Sequence, residues 1–65
     1  MTVDEVKRRI EAIAAESHDD ERAHSDEDLL YEDVLQAIAR GAPDPAQLAV
    51  AVLKTKELGF ERWCA

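Results

Sequence analysis

A chain of 65 residues holds one small domain, and a domain of that size buries only about 60% of the surface its unfolded form exposes. One cysteine, Cys64, excludes an intrachain disulfide framework and suits a reducing compartment, so stability has to come from regular helix packing or from a partner. The net charge of −7 sits almost wholly in residues 16–33, where nine carboxylates face Arg22 alone, and a field of that sign disfavours direct contact with nucleic acid phosphates.

Thr2 precedes Val3-Asp4-Glu5, the spacing of a capping box, and predicts a first helix over 3–17. Val3, Val6, Ile10, Ile13 and Ala14 form a narrow apolar stripe along it, beside Lys7, Arg8, Arg9 and Glu11. Three acidic and three basic residues balance over 1–15. The basic triplet Lys7-Arg8-Arg9 reads as a solvated face, because Glu5 and Glu11 share its helix.

Residues 18–24 are charged and hold no large aliphatic side chain, so they read as an acidic linker, either a loop or a frayed helical continuation. Ser25 before Asp26-Glu27-Asp28 predicts a second helix over 26–40, with the hydroxyl accepting backbone N–H groups and the carboxylates on the positive helix end. Its apolar face is Leu30, Tyr31, Val34, Leu35, Ala37 and Ile38. Arg40 stands in its last turn, and Gly41 is placed to take the left-handed position after it.

Ala42-Pro43-Asp44-Pro45 ends that helix and starts the next, with Asp44 as N-cap and Pro45 at the first helical position. A third helix is expected over 45–58, closed by Gly59. Leu48, Ala51, Val52, Thr55 and Leu58 face one side of it, while Ala46, Ala49, Val50 and Leu53 face nearly the opposite side. A helix apolar on two sides needs cover on two sides. The expected fold is therefore all-α, a single domain over 1–65, with a hairpin of the second and third helices joined to an N-terminal amphipathic helix. Dimerisation is expected to complete it.

Chemistry-bearing clusters are sparse. His18, Asp19, Asp20, Glu21, His24, Asp26 and Asp28 are ligand-type residues, but their spacing matches neither a helix-borne zinc site nor an EF-hand loop. They read as a solvated acidic surface with Glu27. Ser25 is simply a cap, and Ser17 and Cys64 lack a base placed to activate them. No catalytic residue, metal site or cofactor is expected, and the chain reads as a non-enzyme.

Binding residues are expected instead at Val50, Leu53, Phe60, Arg62 and Trp63, because surplus apolar surface, large aromatics and arginine mark protein interfaces. Phe60 and Trp63 have the competing use of closing the core. The run from Leu48 to Leu53 is far short of the roughly 20 apolar residues of a membrane span. Met1 is followed by a charged amphipathic segment rather than an apolar leader, so a cytoplasmic protein is expected.

The charged His-containing segment, the stretch Leu29 to Gly41, the proline turn, the Ala-rich helix and the ending Phe60-Glu61-Arg62-Trp63-Cys64-Ala65 resemble small uncharacterised proteins encoded by actinobacteriophages. The resemblance covers about 18–65. It transfers no residue role and implies a setting, the cytoplasm of a bacterial host. Three functional expectations follow: a homo-oligomeric module that binds a host or phage protein through helix 3 and the aromatic tail; an acidic mimic of nucleic acid on a basic host protein; or a structural adaptor.

Overall fold

The computed structural model describes residues 1–62, and Trp63, Cys64 and Ala65 lie outside the described residues. Three α-helices follow one another, α1 Val3–Ala15, α2 Asp20–Ala39 and α3 Pro45–Leu53, and a single 3₁₀ turn, Lys54–Glu57, extends α3. The fold is all-α, with no strand among the described residues. Each helix packs against the other two.

Thr2 starts α1 as its sequence predicts: the Glu5 N–H donates to Thr2 Oγ1 at 3.2 Å. The return half of the capping box differs, because the Thr2 hydroxyl, not its backbone N–H, donates to the Glu5 carboxylate at 3.5 Å. α1 ends at Ala15, two residues before its predicted end. Ser17 there turns its hydroxyl back onto the Ala14 carbonyl at 2.8 Å, which satisfies a terminal carbonyl without continuing the helix.

The largest departure from the sequence reading is at the start of α2. Only His18 and Asp19 of the expected linker lie between the helices: Asp19 is the N-cap, its carboxylate accepting from the Arg22 N–H at 3.1 Å, and α2 begins at Asp20. Ser25 is an exposed residue in the second turn rather than a cap. Two residues with capping chemistry compete here, and packing decides between them. Ala23, Glu27, Leu30 and Val34 follow a 4-3-4 spacing and are all buried, so starting the helix early adds one more turn to the apolar seam. The buried member that reveals this is an alanine, not a large aliphatic residue.

Gly41 has φ 90° and ends α2. The Ala42 N–H reaches the Ala37 carbonyl at 3.1 Å and the Gly41 N–H reaches Ile38 at 3.0 Å, the paired bonds of a Schellman motif, which needs a residue without Cβ strain at that φ. Asp44 caps α3 through its carbonyl, which accepts from the Leu48 N–H at 3.1 Å, and its side chain makes no capping bond. α3 proper is shorter than predicted. It tightens into the 3₁₀ turn after Leu53 and is stopped by extended backbone at Leu58, with no left-handed turn at Gly59.

The core joins Val6 and Ile13 of α1, Ala23, Leu30 and Val34 of α2, Leu48, Ala51 and Val52 of α3, and Phe60. Fully burying aliphatic or aromatic side chains of this kind is worth about 1.5–3 kcal/mol each. One polar pair sits among them: the Tyr31 and Thr55 hydroxyls lie 2.6 Å apart and satisfy one another, with Thr55 wholly buried. Arg9 of α1 pairs with Asp33 of α2 at 2.7 Å across the half-exposed side of their seam. Leu35, predicted for the core face of α2, stands 65% exposed.

Candidate interaction surface

Among the described residues, the seam between α1 and α3 carries an open apolar hollow. The two helices run side by side in the same direction, so that Val3 lies near Ala46 and Val50, while Ile10 and Glu11 lie near Glu57 and Leu58. Ala46 and Ala51 contribute only methyl groups to this seam. A hollow of about 460 Å³ remains between them and Val3, Lys7, Val50 and Lys54. A second hollow of about 280 Å³ continues it past Lys7 and Lys54 to Ile10, Glu11, Glu57 and Leu58.

Along the groove, α3 and the 3₁₀ turn after it carry a row with helical spacing: Ala46, Val50, Leu53 and Glu57. Val50 is 61% and Leu53 57% exposed. Groove and row together form one apolar face with charges in a fixed order along it. Val3, Ala46 and Val50 come first, then Lys7 and Lys54, then Glu11 and Glu57. The face is charge-balanced in a strongly acidic molecule.

The opposite situation holds where residues 58–62 cross the start of α2. Glu27 is 2% exposed, although its sequence context predicts an acidic surface residue. Arg62 explains its burial: Nε donates to both carboxylate oxygens, at 2.9 and 3.0 Å. The same guanidinium donates through Nη1 to the Leu58 and Phe60 carbonyls at 3.1 Å and through Nη2 to the Thr55 carbonyl. Its Cζ also stands 4.0 Å over the Phe60 ring. Carbonyls of the 3₁₀ turn and of the segment after it thus receive the donors of one side chain. A planar fork with five N–H groups does this where a lysine cannot.

Of the five residues expected to bind a partner, the structure brings Val50 and Leu53 together on an exposed face. Phe60 is corrected to a core residue, 5% exposed, and Arg62 to an internal one, committed to Glu27 and three carbonyls. Trp63 lies outside the described residues. Lys7 and Glu11 read from sequence only as part of a solvated face, and Lys54 and Glu57 carry no sequence expectation, because the relevance of all four depends on α1 and α3 being neighbours. The signal available was faint: a Lys-Glu pair at i,i+4 on one helix and at i,i+3 on the other.

The expected acidic surface is similarly divided. Asp19 caps α2 and Asp20 accepts from the Glu61 N–H at 3.2 Å, both staying exposed as Glu21 and Asp28 are, while Glu27 is buried. Asp26 is half-buried against Glu16. Oε2 of Glu16 is shielded from water and has no donor unless one of the two carboxyls keeps a proton. Hydrogen bonding to Asp26, followed by burial, holds the Glu16 carboxyl above its ordinary range, against the pull of the Arg22 guanidinium 3.1 Å away.

His18 is exposed, and His24 Nε2 lies 3.5 Å from Asp28 one turn along α2. Among the described residues no three His, Cys, Asp or Glu side chains converge as a metal site requires. None of the described helices is long and apolar enough to cross a membrane. Comparison with protein-family models, with curated proteins and with solved structures returns no match.

Proposed function

We propose that this protein is a helical interaction module that works by contact rather than catalysis, engaging a protein surface through the α1–α3 face in the cytoplasm of a bacterial host. The observation that carries this is the exposure of Val50 and Leu53 beside an apolar groove, in a domain with few large aliphatic residues to spare. Apolar area of this kind, rimmed by polar residues, marks a docking surface on a small protein. The alternative of nucleic acid mimicry has less support, since Glu27 is buried against Arg62 and Asp26 is half-buried against Glu16, which interrupts the array of carboxylates.

Immobilised wild-type chain and a Val50→Asp/Leu53→Asp variant of equal helix content, exposed to a lysate that also expresses the free chain, test the reading. A protein held by the wild type through rising salt and lost from the variant is the expected result. Retention that ignores the two substitutions, or that vanishes at moderate salt, would point to the acidic side of α2 instead.

A further inference from the structure

We infer that the occupant of the α1–α3 face is a second copy of this chain, packed antiparallel about a two-fold axis that lies along the line between the Lys7/Lys54 and Glu11/Glu57 levels of the groove. The inference rests on the reading of that face as the docking surface and names its partner. An isologous interface must be complementary to itself. The order of groups along this face meets that condition. Reversing a second copy end for end about that axis sets Lys7 and Lys54 of each protomer opposite Glu11 and Glu57 of the other. Each opposite-charge contact then occurs twice.

Net charge argues for the same face. Two copies carrying −7 each repel over most approaches, and residues 16–33 hold nearly all of that charge. The α1–α3 side is where the charges cancel and where Val50 and Leu53 stand exposed, so it is the side on which two copies meet with least repulsion. The α2 side offers Leu29 and Leu35, but Asp28 and Glu32 lie among them, and a two-fold pairing there sets carboxylate against carboxylate.

Sedimentation equilibrium of the full chain from micromolar to millimolar concentration tests this, with helix content checked by circular dichroism. The wild type is expected to move from its 7.3 kDa monomer to twice that mass. Lys54→Glu is expected to weaken the dimer about tenfold, because the lost contact is counted twice. A Lys7→Glu/Lys54→Glu chain mixed with a Glu11→Lys/Glu57→Lys chain should form a heterodimer, each being monomeric alone.

A wild type that stays monomeric throughout overturns the second copy as occupant, while the docking reading is decided separately by the capture comparison. A dimer that survives Val50→Asp/Leu53→Asp overturns both, since this face is then not the contact. A dimer lost in that variant but indifferent to every charge reversal overturns the antiparallel pairing.

Discussion

The two ends of this small fold handle surplus chemistry in opposite ways. At the start of α2 a buried carboxylate, Glu27, is matched by Arg62, whose remaining donors reach the carbonyls after α3, so this carboxylate has its partner within the chain. Along the α1–α3 seam, Val50 and Leu53 stand mostly exposed among the described residues. The first region puts its best hydrogen-bonding side chain into holding the fold. The second leaves apolar area in water, which a 65-residue domain is poorly placed to spare. Interface-type residues are therefore informative only together with what they touch: arginine, an interface favourite by type, is structural here, and valine carries the exposed face.

Breaking the locked end should have the largest effect. Arg62→Ala strands the Glu27 carboxylate in the core, and removal of one partner from a buried pair costs about 3–5 kcal/mol, much of the stability of a domain this small. Chemical denaturation should show it as largely unfolded, whereas Glu27→Leu/Arg62→Leu should recover part of the loss by replacing the pair with apolar volume. Equal damage from the single and double changes would mean that Glu27 is not the reason Arg62 matters.

The helix start at the same end gives a middle-sized test. Asp19→Ala should cost about 1 kcal/mol through the lost cap, while Ser25→Ala should stay within about 0.5 kcal/mol, because its hydroxyl is an exposed mid-helix group. If the two costs were reversed, α2 would begin where the linker reading puts it.

The open seam sharpens the contrast from the other side. Val50→Ser should change monomer stability by no more than about 0.5 kcal/mol, since the side chain is already mostly in water. A larger loss, measured at concentrations too low for association, would show that Val50 packs within its own chain and would weaken the docking reading.

Glu16→Gln is expected to have the smallest effect, visible as a trend with pH. Hydrogen bonding to Asp26 and burial raise the Glu16 carboxyl in the folded state, so the fold holds that proton more tightly than the unfolded chain does. Its contribution is complete below the ordinary carboxylate range and is lost as pH rises through the raised value. The variant keeps a neutral side chain at every pH. Its Tm should therefore gain on the wild type between mildly acidic and neutral solution, and a constant difference across that range would exclude the carboxyl pair as the cause.

The sequence by itself determined the helical class, because caps and stops are local. Thr2 reaches a backbone group three residues away, and Gly41 answers a steric demand at one φ angle, so neither needs the rest of the molecule. It also separated the buried side of α3 from Val50 and Leu53, since helical periodicity is local as well. Where two local signals competed, as Asp19 and Ser25 do, only packing could choose, through the buried positions of Ala23 and Glu27. The roles of Glu27, Arg62 and Phe60 were illegible for the same reason: the ion pair joins residues 35 apart, and nothing local marks a glutamate as buried. The α1–α3 face was decided by tertiary structure alone, because a groove and its order of charges exist only once two helices far apart in sequence lie side by side.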